Sequence, residues 1–282
     1  MVLVPQTDCV LRKGPVALGL SRRGGSITYC NVGGQALFFP ASDTTAPFPF
    51  ANFMLAPFSN RIAGGAFTFN GQRYNIPANL ADPRFPLPIH GFGWQAEWQI
   101  EHPSCDCAIL TLEPSNPDWP APFSIFQEVR LLADGYEHVV GIANCGDVPM
   151  PAGLGLHPYF PSGAVEMRTG CSAVWLTGED GIPHDHQPVK AEPDWFAGAG
   201  FDCTYDWSSR SVQIMWPNHS VEIRADALFT QLVVYIPQGA QFFCVEPVSH
   251  PTNAINSGAG MTIVAPGERI SGMVRFALTR SD

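Results

Sequence analysis

Positive charge and long apolar runs are scarce in this chain. Lysine occurs only at Lys13 and Lys190, and charged residues make up 14% of the 282 residues, with a formal net charge of -10. An acidic chain so poor in lysine is a bad match for a nucleic-acid backbone or an anionic lipid surface, which hold their partners through clustered cations. No run of eighteen apolar residues occurs, so no membrane-spanning helix is expected. Residues Met1 to Gly14 include Asp8, Arg12 and Lys13 and no long apolar core, so no secretory signal is expected either. The eight cysteines are scattered, and the expectation is reduced thiols in a cytoplasm. Cys105-Asp106-Cys107 and His184-Asp185-His186 each lack a second pair at zinc-site spacing. The chain is therefore expected to carry no metal and no cofactor, and its activity to be indifferent to chelators. No G-x-S-x-G nucleophile signature is found, and Gly91-Phe92-Gly93 is not followed by the helix a phosphate cradle needs.

Amphipathic helical windows are nearly absent, and short alternating runs stand in their place. Hydrophobic residues reach 45%, aromatics 11%, and glycine and proline 27 each, which suits many short strands with tight connections. Strands are expected at Ser26–Tyr29 and Ala36–Phe39 around Gly33-Gly34, and at Trp98–Glu101 and Ala108–Leu112. Ala66–Tyr74 reads as a hairpin about Asn70-Gly71. Phe123–Leu131 alternates strictly and turns at Asp134-Gly135 into Tyr136–Ala143. Ser211–Met215, Val221–Ala225 and Ile270–Leu278 complete the set, while Gly178–Gly200 reads as an irregular surface loop. The expectation is all-β: one domain over 1–282, a large antiparallel β-sandwich with helix limited to short turns.

The residues that could carry chemistry are led by Glu246. It closes an apolar run, Leu232–Ile236 and then Phe242–Val245, and two prolines and two asparagines follow within Pro247–Asn256. A charge at the end of a buried strand is costly unless it is paired or used, so Glu246 is either a turn cap or a working carboxylate. His157, between apolar neighbours in Gly153–Phe160, is either a satisfied core histidine or a proton carrier tuned toward neutral pH. Asn60 and Arg61 offer a donor, an acceptor and a rigid fork of donors, which suits a polyhydroxylated ligand as well as a plain turn. In Pro88–Trp94 the glycines allow close backbone approach to a ligand, His90 offers a ring nitrogen, and Trp94 or Phe92 a flat apolar face for a sugar ring. In Phe201–Trp207, Asp202 stands among aromatic residues in the manner of a sugar-hydroxyl acceptor, with Asp206 as its rival.

Taken in order, NRIAGG with FNGQRY, IHGFGW, GLGLHPYF, FDCTYDW and CVEPVSHPTNAIN resemble the motifs of the aldose 1-epimerase (galactose mutarotase-like) family, over Asn60 to Asn256. The resemblance implies a single antiparallel supersandwich with an open sugar cleft and no cofactor. It implies that Glu246 is the general base and His157 the general acid. Arg61 and His90 would hold the ring and anomeric oxygens, and Asp202 the distal hydroxyls. The chemistry is then α to β interconversion of a free aldohexose. A carboxylate and an imidazolium on opposite sides of the ring would open the hemiacetal and reclose it. Two alternatives stand beside it: an epimerase of a phosphorylated or modified sugar, using Arg73 or Arg84, and a sugar-binding module without turnover. The partner expected is a small-molecule sugar, with no nucleic acid and no membrane, bound by a monomer or homodimer.

Overall fold

The computed structural model describes residues 3–45, 47–113, 118–197 and 200–281. Among them the only α-helix is the single turn Ala254–Ser257, and the rest of the regular structure is strand with three short 3-10 turns. A 14-stranded antiparallel sheet dominates. Strand Phe242–Val248 lies between Gln231–Ile236 on one side and the short strands Gly155–Leu156 and Tyr159–Pro161 on the other. Beyond Gln231–Ile236 the order runs Phe201–Trp216, His219–Ala225, Arg269–Arg280, Gly135–Asn144, Phe123–Leu131, Cys107–Leu112, Gln99–Ser104. A four-stranded sheet begins the chain: Cys9–Lys13, Val16–Leu20, Ile27–Val32 and Gln35–Ala36.

The sheet is strongly curved. Phe38 packs its ring 5.9 Å from Tyr136 and 5.5 Å from Phe160. Their strands are six steps apart in the sheet, which would be roughly 29 Å in a flat one. Leu18, Leu20 and Ile27 of the four-stranded sheet share one core with Ile125, Val129 and Tyr136 of the large one. That core is what the strand alternation buries. Phe123, Ile125, Val129 and Leu131 point inward, as their spacing predicts. Gln127 is the polar exception, and it is satisfied: its side chain donates to the Gly25 carbonyl at 2.9 Å and meets His138 Nε2 at 2.8 Å.

Local turn chemistry follows the sequence. Asn70 and Gly71 both take positive φ, the requirement of the two-residue hairpin turn between Ala66–Phe69 and Gln72–Asn75. Three expectations are corrected. Gly178–Gly200 is not wholly irregular, because Pro183–Pro188 is an edge strand on Glu166–Thr177. It is exposed on both faces, so no alternation marks it. The expected strand Ala36–Phe39 shrinks to Gln35–Ala36, although Leu37 N–H still donates to the Cys30 carbonyl at 2.8 Å while its side chain fills the core. Ser211–Met215 is the end of a much longer strand, Phe201–Trp216. Among the described residues no helix is long and apolar enough to cross a membrane.

Candidate functional site

Strand Phe242–Val248 divides two cores. Phe243 and Val245 face the main one, while Cys244 and Val248 face a smaller, aromatic cluster built from Phe48, Phe53, Trp94 and Tyr159. Period-2 alternation therefore sends Phe242, Cys244 and Glu246 to the same side. Its neighbour Gln231–Ile236 does likewise, with Leu232 and Val234 in the main core and Val233 and Tyr235 on the cavity side. Both faces are covered, which is why these strands read as continuous apolar runs. Register then builds the floor. Tyr159 pairs with Cys244, Cys244 with Tyr235, and Tyr235 with Asp202, a row across four strands. Glu246 and Val233 pair in the next row. At strand spacing, Asp202 lies roughly 10 Å across the floor from Cys244.

The cavity over this floor has a volume of about 180 Å³. That is small beside the roughly 300–1,000 Å³ of pockets for drug-sized ligands, and fits a ligand of monosaccharide size. Asn60, Arg61, His90, His157, Asp202 and Glu246 all border it, brought from five separate stretches of the chain. Trp94 does not. It is fully buried behind His90, donates its indole N–H to the Ile89 carbonyl at 3.1 Å, and packs edge-on to Phe48 at 5.0 Å. Phe92 packs toward Trp119 and Phe123 instead. The aromatic walls are Phe48, Phe85, Tyr159, Tyr235 and Phe242, of which only Tyr159 stands within a quoted sequence motif, GLGLHPYF, where no role is given to it. Asp206 lies elsewhere, accepting from the Trp175 indole at 2.9 Å and lying 3.0 Å from His186 Nε2.

His157 and Glu246 are neighbours, not opposed walls: Nε2 lies 3.3 Å from Oε1 and both side chains are almost wholly buried. The imidazole is sandwiched, stacked on Phe53 at 4.8 Å on one face and on Tyr159 at 4.8 Å on the other. Burial holds His157 down to about 3, well below the neutral range its sequence setting suggested. Burial, and then Asp202, push Glu246 well above the usual carboxylate value, with Arg61 opposing. Both shifts favour uncharged forms, so the pair shares one dissociable proton held on the carboxyl side. Asp202 is raised in the same direction by burial, again opposed by Arg61.

His90 is also held neutral, first by burial, then by His157 and Arg61. The Asn60 backbone N–H donates to its Nδ1 at 3.2 Å. The ring proton therefore sits on Nε2, the other ring nitrogen. Arg61 donates to Asn60 Oδ1 at 2.9 Å and lies over the Phe85 ring at 5.7 Å.

The remaining motif residues position this loop. His250 Nε2 accepts from Ser59 N–H at 3.2 Å, Asn253 N–H donates to the Arg61 carbonyl at 3.1 Å, and Asn253 Oδ1 accepts from Ala63 N–H at 3.0 Å. Ser249–Asn253 thus clamps Ser59–Ala63. Gly91 serves close packing on the neighbouring backbone rather than ligand approach, and Gly153 makes room for a side chain. A Cβ at Gly91 would lie 1.8 Å from the Ala56 carbonyl oxygen, and one at Gly153 would lie 2.1 Å from the His250 ring.

Comparison with known proteins adds the following. The family model described as Aldose 1-epimerase matches residues 10–277. The uncharacterized protein YphB of Escherichia coli (strain K12) is 26% identical, over 93% of this chain and 95% of that one. A galactose mutarotase-like protein from Clostridium acetobutylicum superposes with a TM-score of 0.86 at 16% identity, covering 100% of this chain and 98% of that chain. The galactose 1-epimerase from Lactobacillus acidophilus NCFM superposes with a TM-score of 0.77 at 13% identity, covering 96% and 93%.

Proposed function

The chain belongs to the aldose 1-epimerase family, and from that premise we propose that it interconverts the α and β anomers of a free aldohexose by general acid–base opening and reclosure of the ring. The observation that carries this reading is the His157–Glu246 pair, 3.3 Å apart on the floor of a cavity of monosaccharide size. Ring opening removes the proton of the C1 hydroxyl and delivers one to the ring oxygen. Both oxygens are bonded to C1, so two adjacent protein groups reach them from one side. Glu246 takes the first proton and His157 gives the second.

These roles need the charge-separated form of the pair, carboxylate with imidazolium. It has the same proton count as the neutral form, so no proton enters from solvent. Sugar hydroxyls reaching the buried pair, Arg61 beside Glu246, and the two rings stacked on the imidazole all favour that form. After rotation about C1–C2, reclosure runs the same transfers in reverse. Arg61 and the His90 Nε2–H hold the anomeric end, and Asp202 accepts from hydroxyls at the far side of the floor.

A phosphorylated substrate fits less well. Arg84 borders the cavity, but Asp82 already holds its guanidinium at 2.6 Å. Arg61 stands beside two carboxyls, the exposed Asp202 and the buried Glu246, and opposes the rise of both. Arg73 sits on the Gln72–Asn75 strand, outside the cavity lining. Polarimetry of freshly dissolved α-D-glucose, α-D-galactose and their 6-phosphates tests this. Faster decay of rotation is expected for a free sugar. Acceleration of the phosphates alone would support the modified-sugar reading, and binding with no acceleration the module without turnover.

A further inference from the structure

The cavity floor also assembles a set of metal-ligand types that sequence spacing hides. Cys244 and Glu246 are two residues apart on one strand and leave it on the same face. His157 reaches that face from 87 positions earlier in the chain than Cys244. One ligand atom from each of His157, Cys244 and Glu246 lies within 4.8 Å of the other two.

We propose that these three residues form a site for one thiophilic divalent cation, Zn²⁺ above all, which binds in competition with the sugar and silences the site. Tetrahedral zinc bonds of about 2.0–2.2 Å to nitrogen and oxygen require an N···O edge of roughly 3.4 Å. His157 Nε2 and Glu246 Oε1 already stand 3.3 Å apart. An S···N edge is about 3.6 Å for a 2.3 Å zinc–sulfur bond, so the thiol has to close by at most about 1.2 Å from the 4.8 Å limit. Imidazole, thiolate and carboxylate together select zinc over magnesium or calcium, which want oxygen ligands only. Glu246 Oε2 is buried with no hydrogen-bond partner, so the carboxylate keeps an uncommitted oxygen for an ion. His157 and Glu246 border the cavity while Cys244 lies fully buried beside them, and three protein ligands leave a fourth position for water or a sugar oxygen.

The proton balance is definite. The Cys244 S–H bond breaks, an S–Zn bond forms, and one proton leaves to solvent. Glu246 releases the proton it shares with His157 as well, so two protons leave in all. Affinity therefore rises with pH. Bound zinc occupies the lone pairs that the proposed acid–base pair needs, so inhibition rests on the function proposed for this site, while binding does not.

Cobalt(II) is the probe, because a thiolate ligand gives it a near-ultraviolet charge-transfer band. All eight cysteines are free and Cys105 and Cys145 are exposed, so the background chain carries Cys105→Ser and Cys145→Ser. One equivalent of Co²⁺ is expected to produce the band, Zn²⁺ to abolish it, and a bound aldose to weaken it. Cys244→Ser should lose the band and bind Zn²⁺ at least about tenfold more weakly, the usual scale for a disturbed metal site. Zn²⁺ should slow anomer exchange in the parent, and at least about tenfold less potently in Cys244→Ser. Should Cys244→Ser not fold, Glu246→Gln must keep the band and weaken Zn²⁺. Absence of the band in the parent, or its survival in folded Cys244→Ser, overturns the proposal. A band with no turnover of any aldose keeps the metal site and rejects the epimerase reading instead.

Discussion

His250→Ala tests the clamp that holds Asn60 and Arg61 in the cavity. The imidazole is buried and bridges the two segments: Nε2 accepts from Ser59 N–H at 3.2 Å, and Nδ1 lies 2.8 Å from the Pro251 carbonyl oxygen. Its removal leaves the buried Ser59 N–H without its acceptor, which costs about 1–3 kcal/mol. The ring's space adds a cavity term of about 2 kcal/mol. A total of about 3–5 kcal/mol corresponds to a fall in Tm of roughly 5–8 °C in a chain of this length. The loop that loosens carries the groups that grip the ligand, so kcat/KM should fall roughly 10- to 100-fold, chiefly through KM. Gly153→Ala should move both quantities the same way, because its Cβ would lie 2.1 Å from the same ring. The assays are differential scanning calorimetry and initial rates of anomer exchange. A His250→Ala protein with parental Tm and parental KM would refute the clamp.

Thermal stability should fall as the medium is acidified. His138 and His157 are held down to about 3 and His250 to about 4, all by burial. Their unfolded forms protonate near pH 6.5 and the folded forms do not, so stability is full above about pH 6.5 and drains as pH falls toward 4. Glu246 works against this trend, since its raised folded value destabilises the fold as pH rises past 4.5. A Tm that stays level between pH 7 and 4.5 would contradict the histidine assignments. Tyr159→Phe should keep kcat near the parental value, whereas Tyr159→Leu removes one face of the imidazole stack and should lower kcat about two- to tenfold. Equal loss in both variants would point to the Tyr159 hydroxyl instead. Turnover against pH should decline on the alkaline side, where the His157–Glu246 pair loses its shared proton, and hold level on the acid side while the fold survives. A decline centred on the acid side with no alkaline limb would assign the proton wrongly.

How much was legible depends on what each residue answers to. Phe123–Leu131 was readable because one face is buried and the other is not, so hydropathy records the pleat. Pro183–Pro188 was not, because neither face is buried. The polar site residues announced themselves as charges or imidazoles in apolar company. The aromatic walls did not, since only register decides whether a ring in a β-chain faces a cavity or a core. Tyr235 faces the cavity because it stands between Asp202 and Cys244 in the ladder, whereas Trp94 is buried in the aromatic cluster, its indole N–H on the Ile89 carbonyl and its ring on Phe48. Adjacency was equally hidden. Sequence motifs suggested a carboxylate and an imidazole on opposite sides of a ring, and the fold sets them side by side. Burial in turn moved His157 away from neutral titration, a consequence of its depth in the aromatic cluster that a one-dimensional reading does not contain.

The central claim is that Glu246 and His157 act together on one hemiacetal. Anomeric proton exchange by NMR at saturating sugar measures it directly in the parent, Glu246→Gln, His157→Asn and the double variant, with sugar affinity determined alongside. Each single change should slow exchange by roughly two to four orders of magnitude while binding persists, and the double variant should be little worse than the poorer single one. Folded Glu246→Gln protein that exchanges anomers at the parental rate would reduce Glu246 to a strand-end carboxyl and leave a sugar-binding module in place of the epimerase.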